Sequence, residues 1–156
     1  MNKLFKLIVS IVLCEGVGIS GSIFTIPSIT SWYSHLSKPF FNPPNWIFGP
    51  VWTMLYLLIG VSLYLILQKK LKKEKNIILF VFSAQLFLNF LWSIIFFGMH
   101  LPLIAFVEIV FLWGSIVWLI VNFYKFTKAA SLILVPYLCW VSFAAILNLT
   151  VAILNP

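Results

Sequence analysis

Three polar side chains recur at every fourth position of one apolar segment: Gln85, Asn89 and Ser93. Residues spaced by four lie on one face of a helix. An amide or hydroxyl in apolar surroundings is costly unless it forms hydrogen bonds, so this face needs partners. The spacing therefore predicts a polar stripe that binds either a ligand or a neighbouring helix.

Aromatic residues accompany this stripe on three segments of the chain. Trp92 and Phe96 lie beside it, and Trp52 and Tyr56 are one helical turn apart. Each indole offers a large flat surface and one N–H donor. One side of the last segment carries Tyr137, Trp140, Ala144 and Asn148, which follow Pro136. Together these groups predict an apolar pocket with a few fixed polar groups, suited to a flat hydrophobic ligand.

The elements that position these groups are membrane-spanning helices. Of the 156 residues, 63% are hydrophobic and 8% charged, and the mean hydropathy is +1.12. A soluble domain has about a quarter charged residues, and a spanning helix needs about 20 apolar ones. The apolar runs cover about 4–26, 46–68, 77–98, 102–124 and 130–153. We expect an all-α membrane protein, a single five-helix domain over residues 1–156 whose fifth span is kinked at Pro136.

Lysine placement predicts the orientation of this bundle. Lys3 and Lys6 precede the first run, five lysines fill the second connection, and two fill the fourth. The first connection holds only Lys38, and the third holds none. Because lysine is enriched in cytoplasmic loops, we expect a cytoplasmic N-terminus and an external C-terminus. The long connection between the first two helices, residues 27–45, is then external.

Residues 32–56 contain four prolines and three tryptophans. Proline fixes φ and lacks an N–H, so a rigid loop is expected here. At about 1.5 Å per residue, Trp52, Asn89 and Trp140 lie within roughly 7–20 Å of the external surface. The loop is thus predicted to cover a ligand pocket that opens toward the exterior.

The polar and aromatic residues also have a simpler interpretation. The polar groups could only join helices, and the tryptophans could form belts at the membrane interface. The belt interpretation suits Trp46 best and extends to Trp32. Trp52 and Trp140 lie too deep for it, and three helices supply pocket candidates at similar depth.

Two glutamates fall inside apolar runs. Glu15 lies near mid-membrane, where a charge is costly unless it faces protein or water. It is either a polar group of the cavity, with or without a proton-linked role, or a protonated carboxyl bonded to a neighbouring helix. Glu108 is expected to be interfacial or structural.

The first run also carries a small-residue face, formed by Ser10, Cys14, Gly18 and Ser22. Small residues let helices approach closely, which makes this face and the third helix candidates for dimer contacts. Lys3 and Lys6 followed by an apolar core could instead mark a cleaved signal peptide. Continuation of the run through Ile26 favours a retained span.

Other function classes are disfavoured by composition. The net charge is +7, yet the chain has no arginine. Proteins that recognise nucleic acids commonly bind guanine or phosphate through bidentate arginine side chains. Cys14 and Cys139 lie in apolar runs and are interpreted as buried hydrophobic residues. No spacing indicates a metal site or a phosphate-binding loop, so we expect neither a metal nor a cofactor.

Three ordered clusters make the chain resemble the TspO/MBR family, the tryptophan-rich sensory proteins related to mitochondrial translocator protein. The first cluster is Trp32-Tyr33, Leu36, Lys38-Pro39, Pro43-Pro44, Trp46, Pro50, Trp52 and Leu55-Tyr56. The second is Gln85 to Asn89 with Trp92-Ser93, and the third is Pro136-Tyr137, Trp140, Phe143-Ala144 and Leu147-Asn148. The resemblance implies a five-helix protein of a prokaryotic cell membrane, commonly a homodimer, that binds porphyrins such as protoporphyrin IX, haem-type tetrapyrroles or sterol-like and aromatic ligands.

The resemblance also implies site residues. The family's ligand-contacting positions correspond here to Tyr33, Pro43, Phe48, Trp52, Asn89, Trp92, Ser93, Trp140 and Ala144. The spacing of residues along the second and last helices adds Tyr56 and Asn148. Some bacterial members are reported to degrade protoporphyrin IX in light, and the implicated tryptophans correspond to Trp52 and Trp140. Three functions stay open: a tetrapyrrole-binding sensor or transporter, a light-dependent porphyrin-degrading enzyme, and a ligand-free scaffold or assembly factor.

The C-terminal sequence departs from that of the animal relatives, and this limits which of their functions can be expected here. After Leu147-Asn148 the chain reads LTVAILNP, without the tyrosine and basic residue of the proposed cholesterol motif. Cholesterol transport is therefore not expected. Porphyrin carboxylates would find Lys38, backbone groups or amides, so affinity for highly charged tetrapyrroles should be modest.

Overall fold

The computed structural model describes residues 2–71 and 73–156. Within this range the helices are α1 (Lys3–Thr30), α2 (Trp32–His35), α3 (Asn45–Leu67), α4 (Lys75–Ser93), α5 (Pro102–Tyr124), α6 (Lys128–Ile133) and α7 (Val135–Leu154). Five helical segments of the described chain are long and apolar enough to cross a membrane. The expected all-α membrane fold with five spans is confirmed.

The fifth span is interrupted next to Pro136, where the sequence predicted a kink. α6 ends at Ile133 and α7 begins at Val135, with Leu134 between them. Pro136 lies in the first turn of α7, where its missing N–H costs no hydrogen bond. The break lets the two parts of the span differ in direction without an unsatisfied backbone donor.

Two glycines bring α1 and α3 into close contact at one end of the bundle. A Cβ at Gly60 would lie 2.7 Å from Cα of Ile11, and a Cβ at Gly18 would lie 2.4 Å from Cδ2 of Tyr56. Non-bonded carbon atoms prefer about 3.5–4.0 Å, so only glycine permits these approaches. At the other end of α3, a Cβ at Gly49 would meet no described atom within 4 Å. The two helices therefore diverge toward that end.

The small-residue face of α1 points into the bundle. Ser10 and Cys14 are buried, and Gly18 lies against the ring of Tyr56. This face is therefore not the dimer contact considered from the sequence.

α4 continues past Ser93 as one π-helical turn, Ile94–Gly98. Such turns are rare and occur often at functional sites. Ser28 of α1 donates its hydroxyl to the Phe97 carbonyl at 2.5 Å, which links α1 to this turn. His100, at φ 58°, stacks on Trp32 with 4.3 Å between ring centroids. Trp32 is therefore packed on protein, and its place in an interfacial belt stays a prediction.

The connection before α3 is shorter than predicted because α1 extends to Thr30 rather than ending near residue 26. Residues 31–44 contain α2 and lie over one end of the bundle. Ser37 and Asn155 form two hydrogen bonds of 2.9 Å, so the connection is joined to the end of α7. This connection forms the cover that the sequence predicted.

Candidate functional site

A cavity of about 470 Å³ lies between α1, α3, α4 and α7, in the half of the bundle that carries the connection 31–44. Its lining is largely apolar and aromatic, with a few amides and hydroxyls. Ligand pockets typically measure about 300–1,000 Å³ and share this character. The volume and lining are therefore those of a small-molecule site.

Ten of the eleven residues predicted to bind a ligand line this cavity. They are Tyr33, Phe48, Trp52, Tyr56, Asn89, Trp92, Ser93, Trp140, Ala144 and Asn148. Pro43 is not part of the lining; it lies in the connection before α3, where its carbonyl accepts a hydrogen bond from Nδ2 of Asn42 at 3.1 Å. Pro43 thus shapes the cover, and its contact with a ligand stays a prediction.

A hydrogen-bonded chain forms the inner wall of the cavity. The Tyr56 hydroxyl donates to Oδ1 of Asn89 at 2.6 Å, and Nδ2 of Asn89 donates to the Tyr137 hydroxyl at 2.7 Å. Tyr137 in turn donates to Oε1 of Gln85 at 3.0 Å. Tyr137 and Gln85 are buried behind the cavity, so one of the three residues of the predicted polar stripe supports the site rather than lining it.

A second set of bonds fixes Trp92. Its Nε1 donates to Oδ1 of Asn148 at 2.9 Å, and Nδ2 of Asn148 donates to the Pro102 carbonyl at 2.6 Å. The Trp92 ring stacks on Phe96 of the π turn, with 5.0 Å between centroids and 17° between planes. The indole is therefore held on its edge and on one face, which presents a rigid surface to the cavity.

Trp140 is held differently from Trp92. Its ring packs against Phe48 and Phe143, at centroid distances of 6.3 and 5.4 Å. Its Nε1 is buried and has no hydrogen-bond partner among the described residues. A buried donor without an acceptor is costly, so this N–H is available to a ligand.

Tyr33 closes the cavity on the side of the connection. The side chain is 2% exposed, and its hydroxyl donates to Oδ1 of Asn42 at 2.5 Å. Burial raises the pKa of Tyr33 to about 12, so the hydroxyl stays a donor at neutral pH. Nζ of Lys38 donates to the carbonyls of Tyr33 and Leu36 at 2.7 and 3.0 Å and lies 5.0 Å from the Tyr33 ring centroid.

The most exposed lining residues lie along α1 and α3. Ile19 is 65% exposed, Ile26 68% and Trp46 74%. The cavity therefore opens sideways between the diverging halves of these two helices, toward the lipid. This differs from the predicted opening toward the exterior, because Tyr33 and the connection cover that end. The exposure of Trp46 also fits its predicted place in an interfacial belt.

The acids occupy contrasting positions. Glu15 lines the cavity, whereas Glu108 is 7% exposed and is not part of the lining. Both carboxyl oxygens of Glu108 lack a hydrogen-bond partner within the described chain, as does Nε2 of Gln85. Glu108 is thus an interior residue rather than an interfacial one.

The profile of one protein family matches most of the sequence. The match to the TspO/MBR family model covers residues 10–154. The chain belongs to the TspO/MBR family.

Relatives of this TspO/MBR chain come from all three domains of life. It is 50% identical to the tryptophan-rich protein TspO of Chlorobaculum tepidum, with 100% of both chains covered. It is 45% identical to the tryptophan-rich protein TspO of Archaeoglobus fulgidus, over 98% of this chain and 99% of that one. The translocator protein of Homo sapiens is 37% identical, over 82% of this chain and 77% of its own. With five membrane-spanning segments and these bacterial and archaeal relatives, the chain is an integral protein of a prokaryotic membrane.

Several residues of the TspO/MBR site were not predicted from sequence. They come mainly from α1, with one from the π turn: Gly21, Ser22, Thr25, Ile29 and Phe97. Sequence reasoning assigned the small residues of α1 to helix packing. The missed signal was that Ser22 and Thr25 are more polar than close packing requires.

The two cysteines lie outside the described lining of this TspO/MBR site. Cys14 is buried and Cys139 exposed, and neither forms a disulfide. In the described ranges, no group of three or more His, Cys, Asp or Glu residues is placed to hold a metal ion. The exposed position of Cys139 differs from the expected burial, because α7 turns that side chain outward.

Proposed function

We propose that this TspO/MBR protein binds protoporphyrin IX, haem-type tetrapyrroles or related flat hydrophobic molecules in the cavity, with a sensory or tetrapyrrole-regulatory role. The observation that carries the proposal is the convergence of Trp52, Trp92 and Trp140 on one cavity from three helices. Indoles bury large flat surfaces efficiently, and a planar macrocycle offers two matching faces.

The polar groups of the cavity support the same proposal. Asn89 and Asn148 are fixed by hydrogen bonds at both ends of their amides, so they hold the wall without reorganising. The Nε1 of Trp140 is an unused donor, and a ligand acceptor would satisfy it. Because Lys38 is occupied with backbone carbonyls, carboxylates of a porphyrin would depend on such neutral donors.

Porphyrin titration in the dark tests this proposal. Protoporphyrin IX added to the protein in nanodiscs should quench tryptophan fluorescence saturably. Trp140→Ala and Asn89→Ala should each weaken binding by about tenfold, since each removes part of the wall. Trp113→Ala is the matched control, because Trp113 bonds to Ser142 outside the cavity. Wild-type affinity in both cavity variants would refute the assignment of the site.

A second candidate function is light-dependent porphyrin breakdown by Trp52 and Trp140. Both indoles line the same cavity, so one bound macrocycle could contact both. An indole stacked on an excited porphyrin can donate an electron to it, and dioxygen would be the terminal oxidant. A sheltered cavity would protect the reactive intermediates.

Illumination separates binding from breakdown. Protein with protoporphyrin IX under aerobic light should yield one defined new absorbing product. Trp52→Phe combined with Trp140→Phe should abolish the product while dark binding persists. Bleaching at the rate seen in empty nanodiscs would exclude the enzyme. If no porphyrin or sterol-like compound shifts the melting temperature, a ligand-free scaffold is favoured.

We propose further that the protein forms a homodimer through the lipid-facing sides of α1 and α4. A shallow groove there is lined by Gly16, Ser20 and Ser83, next to Phe87, which is 61% exposed. Small residues allow close helix contacts in membranes. Ser20→Cys in a Cys139→Ser background should form a disulfide-linked dimer on oxidation. Ile146→Cys on the exposed side of α7 is the control, and equal cross-linking of both would argue against this face.

A further inference from the structure

Among the described residues that line the cavity, only Glu15 carries a carboxyl, and none carries an amine, imidazole or guanidinium. Glu15 lies near the middle of α1, about 18 Å from the start of the helix at 1.5 Å per residue. Gly18 follows it by one turn, where α1 and Tyr56 are in contact. The carboxyl therefore lies at the end of the cavity farthest from the connection 31–44, near mid-membrane depth.

No partner within residues 2–71 and 73–156 satisfies this carboxyl through a hydrogen bond or an opposite charge. The Tyr56 hydroxyl on the facing helix donates to Asn89 instead. Lys6, nine residues earlier on the same helix, is about 13 Å away along the axis. An intramembrane acid is costly and usually functional, so its partner is expected in the cavity.

The charges in and around the cavity also indicate that the partner of Glu15 is a ligand. Lys38, the basic residue of the covering connection, donates to the carbonyls of Tyr33, Ser34 and Leu36 at 2.7–3.3 Å. The cavity thus contains one acid and no available cation. Such a site is complementary to a hydrophobic ligand that carries a positive charge or an N–H donor, because a charge pair beside an apolar lining is stronger than one in bulk water.

We propose that Glu15 is a specificity-determining residue that binds a protonated nitrogen at the leading end of a flat hydrophobic ligand. The inference rests on the proposed binding function of the cavity. Protoporphyrin IX has carboxylates on one edge and hydrocarbon groups on the opposite edge, so it leaves Glu15 unpaired. The preferred ligand class is therefore a planar lipophilic amine.

Two probes of similar shape test the proposal: 9-aminoacridine, which is cationic at neutral pH, and 9-methylanthracene, which has neither charge nor donor. Binding to the protein in nanodiscs is measured by tryptophan quenching. We expect wild type to prefer the amine, and Glu15→Gln to reduce that preference by at least about tenfold. Comparing one probe between variants in the same nanodiscs cancels its partitioning into lipid.

Matched variants make the outcomes decisive. Glu74→Gln removes the same charge from an exposed position outside the cavity and should keep the wild-type preference. Glu15→Asp keeps the charge at shorter reach and should give an intermediate preference. Saturable tryptophan quenching by protoporphyrin IX in Glu15→Gln reports that the variant is folded and keeps its cavity.

Three results would overturn the inference. The first is an unchanged amine preference in Glu15→Gln. The second is loss of all ligands in Glu15→Gln while Glu15→Asp behaves as wild type, which would assign the carboxyl to folding. The third is that the wild-type protein binds protoporphyrin IX but does not prefer 9-aminoacridine over 9-methylanthracene. That result would overturn the role of Glu15 and leave the proposed function unaffected. If neither porphyrin nor probe binds wild type, the proposed function fails as well.

Discussion

The hydroxyl of Tyr56 donates to Oδ1 of Asn89 at 2.6 Å, which joins α3 to α4 at the inner wall of the cavity. The amide of Asn89 continues the chain to Tyr137 on α7, and Tyr137 continues it to Gln85. Each donor in this chain has its acceptor on a neighbouring helix. The wall is therefore fixed by bonds among three helices before any ligand binds.

Replacement of Asn89 by alanine should destabilise the protein as well as weaken ligand binding. The variant loses two hydrogen bonds and leaves the Tyr56 hydroxyl without its acceptor. We expect a loss of about 1 to 3 kcal/mol in the free energy of unfolding, measured by SDS titration in mixed micelles. Asn122→Ala, which removes an amide bonded within α5 to the Trp118 carbonyl, should lose less. Equal losses of unfolding free energy in Asn89→Ala and Asn122→Ala would show that the hydrogen bonds of Asn89 between helices add no more stability than a bond within one helix.

A pair of glycine variants tests the contact of α1 with Tyr56. In Gly18→Ala the new Cβ would lie 2.4 Å from the Tyr56 ring, so ring or helix must move. We expect a loss of about 1 to 3 kcal/mol and weaker porphyrin binding. Gly114→Ala in α5, whose Cβ meets no described atom within 4 Å, should be neutral or slightly stabilising. Thermal unfolding in detergent compares them, and equal melting temperatures would contradict the close contact.

Trp140→Phe should separate stability from binding. The change removes the indole N–H that has no acceptor among the described residues and keeps an aromatic ring. The ligand-free protein should therefore be as stable as wild type or gain up to about 1 kcal/mol, while porphyrin affinity falls about tenfold. Trp113→Phe breaks the 2.8 Å bond to Ser142 and should leave affinity unchanged. Undiminished porphyrin binding by Trp140→Phe would mean that the N–H does not contact the ligand.

The stability of the cover should depend on pH at the alkaline end. The pKa of Tyr33 is raised by burial from 10.0 to about 12, so the folded state holds its proton more tightly than the unfolded state. Its contribution to stability is complete below pH 10 and is lost as pH rises from about 10 through about 12.

Unfolding free energies measured between pH 9 and 12 test this dependence. Tyr33→Phe should show a shallower decline than wild type over that window, whereas Tyr124→Phe, which changes an exposed tyrosine, should decline as wild type does. Parallel curves for wild type and Tyr33→Phe would contradict the assignment.

Composition and lysine spacing were sufficient to predict the five spans, because apolar runs of helix length have few alternatives in a membrane. The break before Pro136 also followed from local chemistry. The end of α1 did not, since its continuation through Pro27 to Thr30 depends on the tertiary bond from Ser28 to Phe97. Long-range contacts of this kind leave no periodic signal.

The site was predicted in part for similar reasons. Polar and aromatic residues at helical spacing on α3, α4 and α7 identified three of its walls. The fourth wall is α1, whose small residues serve packing at Gly18 and line the cavity at Ser22. The sequence could not separate these roles, because the change occurs where α1 and α3 diverge. The sideways opening follows from the same divergence.

The divergence of α1 and α3 has a practical consequence for any binding measurement. A hydrophobic compound that enters through a gap facing the acyl chains does so after dissolving in the bilayer. Occupancy then follows the mole fraction of compound in lipid rather than its concentration in buffer. Half-saturation points from preparations with different lipid contents should disagree in molar units and coincide per mole of lipid.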